Sequence, residues 1–388
     1  MHDRQYPVES FSLSERDRRW ALVRSLMDSA GIEILVVPDE DNSRYLSQMA
    51  YDIGPTVLPL EGTVTALTNH GRVGSAAARW ISDFRHWNRR WAAGIVDCLQ
   101  ELNADRKIIG IVGLDGLMRR PDGDLNYNSF ITMREVFPHA RWVGAGELMQ
   151  EARYVKSEEE IVFLTRAARA TDAGLLAAAE HMRPGAIDRE IWGQMVLAMM
   201  RAGGDPPRFA HFGIAPLRDI RGFAVQPVGH AAAVGDILFN EVDGHYTGYD
   251  AQGVQPIVLG ALPSDWAEAW KVHTEAWNRT WELLRPGVTF AELESAVRPA
   301  ATRRFGVRQT LHGRGLGDDM PLITSSSSSA NRMGERVLEE GVCFVLKPYA
   351  TWSDGLGEKE LNWGDTVVVT RDGARRLGER SHELIVRD

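Results

Sequence analysis

GDILFNEVDGHYTGYDAQGVQPIVLG, residues 235–260, is the stretch from which the rest of the chain can be read. It opens on a Gly-Asp turn and an apolar run, Ile237, Leu238 and Phe239. A polar turn with Gly244 and Gly248 follows, and a second β-type segment from Val254 to Leu259 closes at Gly260, which predicts a hairpin. Side chains two apart on a strand share a face, so Glu241 and Asp243 point the same way, and Gln252 lies on the returning arm. A carboxylate at the end of a buried strand must be paired, protonated or solvated in a cleft, because burying it bare costs too much. A salt-bridged hairpin end and a functional cleft both satisfy that spacing.

The 388 residues exceed one ordinary core and predict two or three domains. A hydrophobic content of 44% and a charged content of 25% are those of a soluble globular chain. No apolar run approaches a membrane span, and the polar start, MHDRQYPVESFSLSERDRRW, has no signal-peptide core, so the cytoplasm is expected. Cys98 and Cys343 have no nearby Cys or His and give neither a disulfide framework nor a zinc pattern. A net charge of -9 without a basic tract argues against nucleic acid or membrane as partner and leaves a small molecule. The 12 tryptophans include Trp80, Trp87 and Trp91 close together, with Trp352 and Trp363 later. Such residues form cores and interfaces, and also walls for cationic ligands, so Trp87 and Trp352 are candidate substrate contacts.

From Ser14 to Ala30, Leu22, Val23, Leu26 and Met27 recur at helical spacing up to Gly31. Strands at Ile34–Val37, Thr63–Leu67 and Ile108–Val112, with a helix around Trp91 to Leu102, predict an α/β layered domain. Ser157 and Glu160 form a capping box that starts a long helix carrying Ile161, Leu164, Ala168 and Leu175. Domains 1–152 and 153–388 follow from that boundary. Arg183-Pro184-Gly185 and Arg285-Pro286-Gly287 each end a long helix before a short helical segment, as if one unit occurs twice. Further on come the glycine-rich His312–Pro321, a serine run Ser325–Ser329, a strand from Gly341 to Pro348 carrying Lys347, and a strand Asp365–Thr370 before an Asp372-Gly373 turn.

Arg153-Tyr-Val-Lys156-Ser157 with Glu160-Ile161, the Gly235-Asp236 hairpin, His312-Gly-Arg-Gly-Leu and Gly364-Asp365-Thr-Val-Val-Val-Thr370 together resemble the creatinase/prolidase/methionine aminopeptidase superfamily, peptidase family M24. The resemblance implies an α+β class: a C-terminal pita-bread domain preceded by a smaller α/β creatinase-type N-terminal domain. It also implies a homodimer in which one subunit's N-terminal domain covers its neighbour's site, with Trp80, Trp87 or Trp91 reaching toward it.

In the metal peptidases of this family two divalent ions are held by two aspartates, a histidine and two glutamates. Here Glu241 and Gln252 stand in the aspartate places, His312 in the histidine place, and Lys347 and Gly364 in the glutamate places. Four anionic ligands have become one, and an ammonium at Lys347 would repel divalent ions, so the resemblance implies a site without metal or cofactor. A shifted register would instead offer Asp243, Asp250, Glu358 and Glu360 as ligands. The metal-independent relatives creatinase and ectoine hydrolase point to hydrolysis of a carbon–nitrogen bond in a small polar or cationic metabolite, with Glu241 as nucleophile or base, His312 and Asp318 as acid–base pair and Lys347 as charge stabiliser. The dimethylsulfoniopropionate lyase of the family is similar at His312-Gly-X-Gly-Leu-X-Asp318-X-X-Pro321-Leu322, and implies a lyase with Asp318 as base. An Xaa-Pro-type peptidase and a ligand-binding pseudoenzyme are also compatible with the resemblance; four of the five ligand places remain polar, which favours chemistry. The family's proton-shuttling histidine has no counterpart, since Ala224 beside Phe223 takes its place. Phe223, Arg221, Asp243 and Gln252 are candidate substrate contacts, and His211, Arg218 and Arg221 lie upstream as candidates in a segment that also reads as a surface loop.

Overall fold

The computed structural model describes residues 10–71, 73–116, 120, 122–218, 226–324 and 333–388. The chain divides into two compact units, Met1–Arg153 and Tyr154–Asp388.

The first unit is built on strands β1 (Ile34–Val37), β2 (Ile53–Pro59), β3 (Thr65–Thr68), β4 (Asp83–His86), β5 (Ile108–Ile111) and β6 (Arg141–Gly144), in the order β4-β3-β2-β1-β5-β6. Every residue of β1 is buried, as an unbroken aliphatic run requires in a sheet covered on both faces. Ile34, Val36, Ile109 and Ile111 pack there against Leu99 and Met133 from the helices Trp91–Glu101 and Tyr127–Val136. The helix Leu13–Ser29 is capped by the Ser12 hydroxyl, and buries Val23 and Met27 on one side. The same side also buries an ion pair, Glu15 to Arg19 at 2.7 Å, which apolar spacing could not reveal. The tryptophans belong to this unit's own packing. Trp80 is buried, and Trp87 and Trp91 are half-buried against the apolar core. Their large apolar rings gain more from that burial than from exposure, which corrects the expectation that they stand out as a lid.

The second unit carries β7 (Ala210–Pro216), β8 (Asp236–Tyr246), β9 (Tyr249–Gly253), β10 (Ile257–Leu259), β11 (Gly306–Arg308), β12 (Leu311–Gly315), β13 (Gly317–Ile323), β14 (Cys343–Leu346), β15 (Tyr349–Ser353), β16 (Glu358–Asn362), β17 (Asp365–Thr370), β18 (Gly373–Arg376) and β19 (Ile385–Arg387). They form sheets β19-β10-β8-β7, with β9 on β8, then β13-β12-β14-β17-β18, and β11-β15-β16. The Ser157–Glu160 capping box is present and opens the helix Glu158–His181. That helix packs on Phe212, Leu238 and Val242, while Trp277 of the helix Ser264–Leu283 packs in a second core with Leu311, Phe344 and Val367. The two Arg-Pro-Gly segments have one geometry. Gly185 and Gly287 have φ of +82° and +88°, a region that glycine enters without strain, and each turn is followed by a single β-bridge, Ile187 to Ala231 and Thr289 to Val337. The two turns repeat one local geometry.

The opening hairpin differs from its reading. β8 runs straight through the polar segment as far as Tyr246, the reversal is at Thr247-Gly248, both with positive φ, and the return arm is Tyr249–Gly253. The last segment, β10, continues along the same edge of β8, pairing with Leu238 and Ile237 on the side away from β7. Polar side chains stay in this strand because partners from other strands satisfy them.

Candidate active site

β8 sets Glu241 and Asp243 on one face, 7% and 6% exposed. Directly opposite Asp243 on β9 is Gln252, whose backbone is fixed on both sides by the Thr366 hydroxyl: Gln252 N donates to it at 2.8 Å and it donates to Gln252 O at 3.0 Å. Gln252 Nε2 donates to Asp243 Oδ1 at 2.8 Å, and Gln252 Oε1 accepts from Lys347 Nζ at 2.7 Å. Lys347 follows the end of β14 and has no exposed surface; its ammonium lies 2.8 Å from Glu241 Oε1. Tyr349, the first residue of β15, donates its hydroxyl to the same oxygen at 2.7 Å. Arg314 of β12 stands 3.6 Å from Asp243 Oδ1, and His312 lies two residues before it on the same strand, across a register irregularity between His312 and Gly313. His211 of β7 is the register partner of Glu241.

Burial works against the charge of Glu241, yet the Lys347 ammonium and the Tyr349 hydroxyl hold its pKa below the ordinary value. Burial lowers the pKa of Lys347 in spite of Glu241, and raises that of Tyr349 far enough to keep the phenol a donor. Burial also pushes Asp243 up to about 6 against the pull of Arg314, and lowers His211 in spite of Glu241.

Glu241, Asp243, Gln252 and Lys347 are therefore one connected cluster, with His312 on the adjoining strand. Arg221, Phe223 and the side chain of Asp318 lie outside the described residues, as does the serine run. The carboxylate placed beside that position is Asp319, paired with Lys156 at 2.8 Å. Trp352 is not a substrate wall: it is 4% exposed in an apolar cluster with Trp266 and Phe305, its indole N–H donating to Asp265. Trp87 belongs to the core of the first unit. Residue reading missed Tyr349 and Arg314 and left His211 in a loop; Arg314 lies two residues after His312 and Tyr349 two after Lys347, at the start of the next strand.

The chain matches the family model Metallopeptidase family M24 over residues 163–371 and Creatinase/Prolidase N-terminal domain over residues 19–155. The chain belongs to family M24. Among M24 relatives, the Xaa-Pro dipeptidase of Pyrococcus furiosus is 25% identical over 68% of this chain and 74% of its own length. The probable dipeptidase PepE of Mycobacterium bovis is 27% identical over 62% of this chain and 63% of its own. The solved Xaa-Pro dipeptidase of Bacillus anthracis superposes with a TM-score of 0.79 at 20% identity, covering 96% of this chain and 99% of that one, so the M24 pita-bread fold with its creatinase-type N-terminal domain is common to both.

The name of family M24 implies a metal, which needs several hard, anionic donors converging on one point. In this pocket Lys347 bridges Glu241 and Gln252, and Arg314 faces Asp243. The ligands that a shifted register would supply are dispersed: Asp250 binds His245 at 2.6 Å, Glu360 binds Arg308 at 2.9 Å, and Glu358 is exposed. Among the described residues no three His, Cys, Asp or Glu side chains form a group that could hold a metal ion. The donor set does not fit a metal centre of the M24 type.

Proposed function

We propose that this M24 chain hydrolyses a carbon–nitrogen bond of a small polar substrate without a metal ion, with Lys347 supplying the positive charge. The observation that carries this is the fully buried Lys347 ammonium, held between Glu241 Oε1 and Gln252 Oε1 where family resemblance puts metal ligands. A fixed cation beside a carbonyl stabilises the oxyanion of a tetrahedral intermediate, and costs no reorganisation when that charge develops. Both bonds to Glu241 fall on Oε1, so Oε2 is the oxygen we assign to attack on the substrate or to an attacking water. Water then divides between the two products, its oxygen on the acyl carbon and a proton on the leaving nitrogen.

An Xaa-Pro dipeptide has the support of the relatives' names and comes first among substrates. The replaced donors favour a second class, small cyclic or guanidino compounds of the ectoine and creatine kind. Nothing in the described residues supports the lyase reading through Asp318. A homodimer remains part of the proposal, checked by light scattering at micromolar concentration. The deciding assay takes purified protein against both substrate classes with and without a chelator, alongside elemental analysis. We expect turnover that chelation does not reduce; activity abolished by chelator, with about one or more tightly held ions per chain, overturns the reading.

A further inference from the structure

We infer that His211 is the catalytic proton carrier of this site, taking a proton from the attacking water and delivering it to the leaving nitrogen. The inference rests on the hydrolytic reading above, but its geometry does not. β7 and β8 pair antiparallel over their whole shared length, and the register sets His211 directly opposite Glu241. Residues directly opposite in an antiparallel pair project from the same face with Cβ atoms about 5 Å apart, so the imidazole and the carboxylate border one space. The ring is half-buried and rests on Phe209 at 4.5 Å between centroids, which limits its swing. The charges that act on it are Glu241 from β8 and Lys347 from beyond β14.

The division of labour follows from base strength. Glu241 has its pKa held down by Lys347 and Tyr349, so it is a weak base that can orient water or attack through Oε2. Burial lowers the pKa of His211, which keeps the imidazole neutral and able to accept a proton, and an imidazole can carry a proton in both directions. Three further histidines of this unit are bonded away from Glu241: His245 to Asp250, His230 to Asp236, and His273 to the Pro348 carbonyl and His382. In the step itself water adds to the acyl carbon while His211 takes its proton. The oxyanion faces Lys347, the carbon–nitrogen bond breaks, and the imidazolium returns the proton to nitrogen. Nothing beyond water and substrate is consumed.

Two measurements test this, the first needing no substrate. In an NMR titration of labelled imidazoles, the His211 midpoint should fall in Glu241→Gln, which removes the anion opposite, and rise in Lys347→Met, which removes the cation. A midpoint indifferent to both removes His211 from the pocket and overturns the inference. Kinetically, His211→Asn should lower kcat at least a hundredfold with KM little changed, and abolish the acid limb of the kcat/KM profile, with imidazole partly rescuing His211→Ala. Wild-type kcat with the acid limb intact overturns the catalytic role. If the NMR coupling is present but no carbon–nitrogen substrate is turned over, the hydrolase reading has failed and the role falls with it, while the placement opposite Glu241 stands.

Discussion

Lys156 and Lys347 are both buried in the second unit, and each lies 2.8 Å from a carboxylate, Asp319 and Glu241 respectively. Their surroundings differ. Lys156 also donates to the Tyr154 carbonyl, and a Cβ at Gly315 would collide with Asp319 Oδ2 and fall 2.9 Å from Lys156 Cε, so backbone closes over the pair. This pair clamps the entry of the helix Glu158–His181 to β13. The Lys347 pair is ringed by an amide, a phenol and an imidazole, and its carboxylate keeps some exposure. An ion-pair distance alone thus does not separate a clamp from a reactive site; the neighbours able to give, accept or carry a proton do.

The contrast breaks most directly at Glu241. Glu241→Gln keeps size and hydrogen bonding and removes charge and nucleophilicity, so turnover should drop about a thousandfold or more with the fold intact. Asp319→Asn should leave kcat per folded molecule within a factor of a few; steady-state kinetics on both variants decides, and equal losses erase the distinction.

Charge reversal at the second pair offers a gain rather than a loss. Lys347→Glu combined with Gln252→Asp restores anionic oxygens around the same point, and calorimetry with Mn²⁺ or Co²⁺ should show affinity at least a hundredfold above that of the parent chain. No gain would mean that the geometry around Lys347 is not that of a converted metal pocket.

At the clamp the expected effect is on stability. Asp319→Asn removes the carboxylate charge that pairs with the buried Lys156 ammonium at 2.8 Å, and breaking a buried pair costs about 3–5 kcal/mol in systems of this kind. Denaturant unfolding reads it, and a change below about 1 kcal/mol would deny that this pair ties the fold together.

A third buried charge sharpens the comparison because its cations stand farther off. Burial pushes Asp365 up to about 7 against the pull of Arg380, with Asp172 adding to the rise and Arg376 3.7 Å away. The unfolded carboxyl titrates near 3.8, so this group's contribution is complete below that pH and is lost as pH rises through about 7. Asp365→Asn should flatten that decline, raising Tm at pH 8 by roughly a few degrees, less at pH 5 and little below pH 3.8. An identical pH dependence in the variant would contradict it.

Much of this was legible in the chain. The capping box at Ser157, the repeated Arg-Pro-Gly and the spaced motifs carried the fold, because each is local chemistry with a fixed geometric outcome. The alternation of Glu241 and Asp243 carried half of the site. Tyr349 was hidden because its partner is distant in sequence: it reaches Glu241 across 108 residues. The polar run Glu241–His245 read as a turn for the same reason, since its satisfaction comes from other strands. Trp352 and the tryptophans of the first unit read as ligand walls because composition gives a ring's identity but not what it packs on.

The repeat has a consequence for how the second unit comes together. Glu241 belongs to the half that follows the first Arg-Pro-Gly turn, while Lys347 and Tyr349 belong to the half that follows the second. Each half alone would hold a charge in an apolar setting with no counter-charge, so neither is a favourable resting state. Docking is therefore all-or-none at this point, and contacts of such long sequence separation form late and slowly. The residues to which we assign the chemistry also act as the latch that makes the two halves fold as one.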